Sequence, residues 1–254
     1  MLKKLLLSAT AAVAMTTAMM GSALAYSHDV LRVGTEPTFA PFEFLNTKNN
    51  QITGYDIELI KVIGQKAGYE VEVMSMGFDA LIPALATGQI DVIAAGMSVT
   101  EERSKKVDFT TPYYESGLSY ITLKRNADKF PTFESLKGQT VSGQIGNTGV
   151  DYAKKVLKSK VLTFNTTSEA FMDLSSGNSS QAVVLDRPVL AYFLKTKPQQ
   201  AKNFQLGKEI ADAEWYAFAV KKGNKELLDK LNKAYDELKK EGVIQQIHDE
   251  WFAN

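Results

Sequence analysis

The run YEVEVMSMGFDALIPALATGQIDVIAA, residues 69–95, decides the fold class. Tyr69, Val71 and Val73 alternate with Glu70 and Glu72, the period of a strand with one face buried. Residues 80–87 then place apolar side chains at helical spacing and stop at Gly88. Residues 90–95 are an almost unbroken apolar run, as in a parallel strand covered on both faces. Upstream, Leu31-Arg32-Val33 reads as a strand, and Ile57, Ile60, Ile63 and Ala67 form one helical face ended by Gly68, which completes a β-α-β-α-β unit.

The pattern returns downstream. Strands are predicted at 140–144, 161–164 and 181–185, with helices over 150–157, from Ser168 and from Pro188, a residue suited to a first helical turn. Residues 80–95 and 170–185 share a helix-Gly-strand phrase, which fits related halves and the ordinary grammar of α/β folds equally well. The apolar stretches 116–123 and 215–220 carry little turn chemistry and are predicted as two extended crossings that form a hinge. Leu227, Leu228, Leu231, Ala234 and Leu238, ended by Gly242, and then Val243, Ile244, Ile247 and Trp251 make two helical stripes, too little for a third core, so they are expected back on the first lobe. The expected architecture is α/β: two doubly wound lobes joined by a two-strand hinge, with lobe 1 at 26–115 and 213–254 and lobe 2 at 116–212.

Residues 1–25 have the form of a cleavable export signal: Lys3 and Lys4, an apolar run, then Ala23-Leu24-Ala25. Cleavage is expected before Tyr26, leaving a mature chain with no membrane span. The chain of 254 residues contains no cysteine, so it has neither a disulfide staple nor a lipid-bearing Cys, and an unanchored exported protein is expected in a periplasm. Basic and acidic residues number 29 each, or 27 against 29 without Lys3 and Lys4, which gives no broad field for nucleic acid or an anionic membrane. His28 and His248 stand near opposite ends of the mature chain and read as surface residues, so a catalytic triad or a His-rich metal site lacks material.

In open parallel sheets ligands bind beyond the carboxyl ends of the strands, which directs attention to Glu36–Phe39, Phe78, Gly96–Ser98, Gln144–Thr148 and Asp186. Arg103 can clamp a carboxylate with its guanidinium or pair on the surface with Glu101 or Glu102. Asp186 can meet an ammonium or cap the helix opening at Pro188. Phe39 and Phe78 suit pocket walls or core, whereas Glu36 among apolar neighbours needs a partner. Gln144-Ile145-Gly146-Asn147-Thr148-Gly149 enters a helix and can hold a small anion or be a plain turn; its glycine spacing fits neither a dinucleotide nor a Walker loop.

Several long motifs in order resemble the polar amino-acid family of bacterial extracellular solute-binding proteins (family 3), which includes glutamine- and arginine-binding periplasmic proteins of ABC importers. They are Gly34-Thr35-Glu36 with Phe39-Ala40-Pro41-Phe42-Glu43-Phe44, Gly54-Tyr55-Asp56, Phe78 through Leu85, Gly96 through Arg103, Asp108 through Tyr114, and Ile247 through Phe252. The resemblance implies a type II periplasmic binding protein, monomeric, without cofactor or metal, that closes on an amino acid and presents it to a membrane permease. It implies that Arg103, with the backbone amides of Ser98 and Thr148, binds the α-carboxylate, and that Asp186, the Ser98 hydroxyl and the Gly96 carbonyl take the α-ammonium. Phe39 and Phe78 would sandwich the side chain, and Glu36 and Gln144 would meet its polar end. Ala95-Gly96 resembles glutamine binders and Glu36 with Ala95-Gly96-Met97 resembles arginine binders; glutamine is the narrow expectation, arginine the alternative. A cyclohexadienyl dehydratase-like enzyme, with Glu36 as acid, is the rival on the same scaffold.

Overall fold

A computed structural model describes residues 29–177 and 179–253. The expected export signal and His28 lie outside the described residues. Strand β1 (Asp29–Thr35) leads into a small antiparallel sheet of β2 (Thr38–Phe39), β3 (Glu43–Asn46) and β4 (Gln51–Thr53). Helix α1 (Tyr55–Lys66) buries Ile57, Ile60 and Ile63 as their spacing requires. There follow β5 (Tyr69–Ser75), α2 (Leu81–Thr87) ended by left-handed Gly88, β6 (Val92–Ile93), the single turn α3 (Glu101–Ser104) and β7 (Val107–Phe109). The predicted strand over 90–95 pairs only through Val92 and Ile93, although Ile90, Ala94 and Ala95 are buried beside them.

The second half opens with β8 (Tyr114–Leu123) and continues through β9 (Thr140–Gln144), α4 (Thr148–Lys155), β10 (Lys160–Phe164) and α5 (Thr167–Ser176), which starts on a capping box of Thr166 and Glu169. Next come β11 (Ala182–Asp186), α6 (Arg187–Thr196), α7 (Pro198–Ala201), β12 (Phe204–Leu206) and β13 (Ala211–Tyr216). The chain then returns with β14 (Ala219–Lys221), α8 (Lys225–Lys240) and α9 (Val243–Phe252).

Two sheets result. One has the order β5-β1-β6-β14-β7, the other β10-β9-β11-β8-β12 with β13 on β8. In each, the strands linked through helices run parallel and the strand beside them runs antiparallel. The α/β fold in two lobes is the one the sequence predicts, with two changes. Residues 114–115 and 213–216, expected in lobe 1, lie in β8 and β13, which pair with each other in the second sheet. Residues 116–123 are not a bare crossing: they lie in β8, paired with β11, β12 and β13 and buried from Gly117 to Leu123. A strand covered on both faces reads as the same uninterrupted apolar run as a buried connector. The chain passes between the sheets at 110–113 and 217–218, the second inside the predicted stretch.

The last two helices pack on the first lobe. Leu227, Leu231, Ala234 and Leu238 of α8 are buried, Lys66 at the end of α1 bonds Glu241 at 2.7 Å, and Trp251 Nε1 of α9 donates to Glu58 at 2.8 Å. His248 is half-buried rather than free on the surface, its ring lying near those of Tyr55 and Phe252. Among the described residues no helix is long and apolar enough to cross a membrane.

Candidate functional site

The candidate ligand-binding residues lie at or after strand ends and, for Arg103 and Thr148, in the helices that follow, near the junction of the two lobes. From the first lobe, Glu36 follows β1, Phe39 lies in β2, Phe78 opens the turn after β5, Gly96 and Ser98 follow β6, and Arg103 is in α3. From the second lobe, Gln144 ends β9, Thr148 begins α4 and Asp186 ends β11.

Arg103 does not pair with its neighbours: Glu101 and Glu102 bond Lys105 and Lys106. Its main chain is fixed by the Thr100 cap, whose hydroxyl accepts from the Arg103 amide at 3.1 Å. The guanidinium donates to the Ser98 carbonyl and, across the junction, to the Gly146 carbonyl, each at 2.9 Å, with Cζ 5.3 Å from the centre of the Phe78 ring. Burial pulls its pKa down against the pull of Glu214 and Asp186.

Asp186 makes no side-chain cap to α6. Its carboxylate instead accepts from the Tyr216 hydroxyl, from Asn147 Nδ2 at 3.3 Å and from Ser116 Oγ at 3.4 Å. Burial raises its pKa, and those hydrogen bonds and Arg103 oppose the rise. It is an acid held inward by neutral donors, which leaves its charge to be met by a cation.

Glu36 finds the partner its burial demands. Its Oε2 accepts from Thr38 Oγ1 and from Gln144 Nε2 of the opposite lobe, both at 2.7 Å, while burial lifts its pKa. A further contact between the lobes joins Thr167 to Thr38. Phe39 is buried against Phe42 and Tyr216. Gly96 has φ +49, and a Cβ there would come within 2.7 Å of the Phe39 ring, so a bare backbone is needed where wall and loop meet.

Two grooves flank this junction. One, of about 830 Å³, is lined by Phe78, Arg103, Thr148 and Glu214; the other, of about 1040 Å³, by Thr38, Phe44, Thr167, Phe171 and Tyr192. Glu36, Phe39, Gln144 and Asp186 are buried away from both.

Known proteins match this two-lobed chain over most of its length. The family described as bacterial extracellular solute-binding proteins, family 3, covers residues 31–254. The chain belongs to that family. ABC transporter arginine-binding protein 1 of Escherichia coli K12 is 35% identical over 227 residues, 87% of this chain and 90% of the relative. A probable histidine-binding protein of Campylobacter jejuni is 36% identical over 218 residues, 85% of this chain and 82% of the relative. Among solved structures, an ancestral arginine-binding protein bound to arginine superposes with a TM-score of 0.82 at 45% identity, covering 88% of this chain and 98% of that one.

Three features of this solute-binding protein escaped sequence reasoning. Glu214, in β13, accepts from Ser98 Oγ at 2.5 Å and Thr148 Oγ1 at 3.0 Å. Burial and the charge of Asp186 push it up to about 7, against the two hydroxyls and Arg103. Asp56, wholly buried, accepts from the Gly96 amide at 2.7 Å and the Tyr113 hydroxyl at 2.5 Å, so it ties the loop after β6 to the crossing at 110–113. Glu43, also wholly buried, has neither carboxylate oxygen hydrogen-bonded, and burial with Asp56 nearby holds its pKa far above the carboxylate range. The available signal was an acid inside or beside an apolar run: Glu43 between Phe42 and Phe44, Asp56 between Tyr55 and Ile57, Glu214 before Trp215.

Proposed function

We propose that this chain is the periplasmic amino-acid-binding component of an ABC importer, and that its ligand is a polar amino acid with a basic side chain, arginine first. The reading starts from Arg103 and Asp186, which feel each other's charge without bonding directly at one end of the junction, and from the hydrogen bond of Gln144 to Glu36 at the other. A zwitterion fits the first end, its carboxylate toward the guanidinium and its ammonium toward Asp186. The second end offers a buried carboxylate, which a guanidinium satisfies in charge and in donors, whereas a side-chain amide satisfies donors alone.

The observation that carries the preference is Glu36, whose carboxylate is buried with only the neutral donors Thr38 and Gln144 on it. The arginine- and histidine-binding names among the relatives support it. Glutamine stays the second reading, because an ancestral arginine-binding protein 44% identical to this chain has been solved bound to glutamine. Phe39 and Phe78 serve as walls, and the Gly96 carbonyl, Ser98 and Thr148 complete the α-end. Loading closes the lobe built on the β1 sheet against the lobe built on the β8 sheet, turning about the crossings at 110–113 and 217–218, and the closed shape is what a permease recognises.

Calorimetric titration with L-arginine, L-histidine and L-glutamine tests this. Arginine is expected to bind tightest, and Glu36→Gln to weaken arginine by about tenfold or more while leaving glutamine nearly unchanged. Equal loss for both ligands would remove Glu36 from side-chain recognition, and turnover of prephenate would replace the transport reading with a dehydratase.

A further inference from the structure

Glu214 stands on β13, the last strand before the second crossing, beside the isolated bridge between Ser98 and Tyr216 and the bond from the Val99 amide to the Trp215 carbonyl at 2.8 Å. It is 9% exposed. Both of its hydrogen bonds fall on one oxygen, Oε2, and they come from opposite lobes: Ser98 after β6, and Thr148 at the start of α4. A hydroxyl has a single proton to give, so while Glu214 holds these two no second carboxylate can receive them.

Ser98 and Thr148 belong to the α-end of the proposed site, and the resemblance gives their backbone amides, with Arg103, to the ligand's α-carboxylate. We propose that Glu214 is an internal stand-in for that carboxylate: a self-ligand that holds the lobes together and that an incoming amino acid must displace. This rests on the amino-acid-binding reading and deepens it.

The charges make the two carboxylates mutually exclusive. Glu214 shares its surroundings with one guanidinium, that of Arg103, and with the acid Asp186. A ligand carboxylate added beside Glu214 and Asp186 would set three acids around one cation in a poorly solvated junction, where like charges repel strongly. The hold is also replaceable. The hydrogen bonds of the Arg103 guanidinium run to the carbonyls of Ser98 and Gly146, so it makes no fork with Glu214, which is kept by two neutral hydroxyls and the surrounding field. A free amino-acid carboxylate that takes the fork gains what Glu214 lacks. Displacement frees Glu214 on a strand that leads directly into the crossing, so exchange of ligands at the site is felt where the lobes turn.

Such a latch lowers apparent affinity by the fraction of free protein that it holds shut; if nine-tenths is latched, its removal tightens binding roughly tenfold. The experiment compares the wild-type chain with Glu214→Ala and Glu214→Gln, by small-angle X-ray scattering without and with saturating L-arginine, and by calorimetric titration. Glu214→Ala is expected to enlarge the free particle, leave the loaded particle unchanged and bind arginine several-fold tighter. Glu214→Gln, which keeps an acceptor but not the charge, should fall between wild type and Glu214→Ala in both measurements. An unchanged free radius, or weaker binding by Glu214→Ala, overturns the proposal and makes Glu214 part of the frame or of the site. If Glu214→Ala does not fold, an affinity and radius of Glu214→Gln equal to wild type overturn it. Should none of the three bind any amino acid, the proposed function fails, and the radii of the free proteins still decide whether Glu214 holds the lobes.

Discussion

Arg103 and Asp56 show how single side chains set this junction. Arg103 spans it, with one bond to Ser98 and one to Gly146 on the far side. On the proposed amino-acid-binding function, truncation to alanine would leave the ligand carboxylate and Asp186 without a cation, so Arg103→Ala is expected to lose about 2–5 kcal/mol of binding free energy. Titration of Arg103→Ala at wild-type affinity would remove it from the site. Asp56 is burdened by burial: its pKa is pushed up to about 6 in spite of the bonds from Gly96 and Tyr113. A carboxyl raised in the folded state binds its proton more tightly there than when unfolded, so its contribution is most favourable below the ordinary carboxylate range and is lost as pH climbs through 6. Relative to Asp56→Asn, the wild type is therefore expected to lose about 2 kcal/mol of stability between pH 4 and pH 7, as read by urea unfolding. Parallel pH profiles for the two proteins would show that Asp56 does not titrate in that window.

The elements that carry these residues depend on helices far away in the chain. Helix α8 covers α1 with Leu227, Leu231, Ala234 and Leu238, a stripe visible in the sequence as a 3.6-residue repeat. Leu231 is 1% exposed, so Leu231→Ala should cost about 2–5 kcal/mol of folding free energy with little change in arginine affinity at temperatures where the protein stays folded. A drop in affinity without a drop in melting temperature would contradict this division. Strands β9, β10 and β11 and helix α5 fall within a residue or two of their predicted places, because each is a short run bracketed by turn residues or by a helical period. Strand β8 was misread because it is covered on both faces and shows no period.

At the scale of the molecule, the two lobes meet in a cluster of rings at the crossings. Tyr114, which opens β8, and Tyr216, which closes β13, stack at 5.8 Å and both lie against Phe42, at 4.9 and 5.0 Å; Phe252 of α9 joins Tyr114 at 4.9 Å. Because these rings connect the cores of both sheets, heating is expected to produce one cooperative transition, with calorimetric and van't Hoff enthalpies equal. Two resolved transitions would mean that the lobes melt as separate units. The sequence alone was enough for the α/β class in two lobes and the return of the last helices, and it directed attention to the loops around the junction, since each rests on local periodicity or on the rule that parallel strands deliver loops to one edge. It could not choose between surface pair and inward clamp for Arg103, or between cap and charge partner for Asp186. Tertiary structure removed the surface pair and the cap and added Glu214, Asp56 and Glu43, because a buried charge is defined by which distant groups surround it, and Glu214 lies 116 positions from Ser98 and 66 from Thr148.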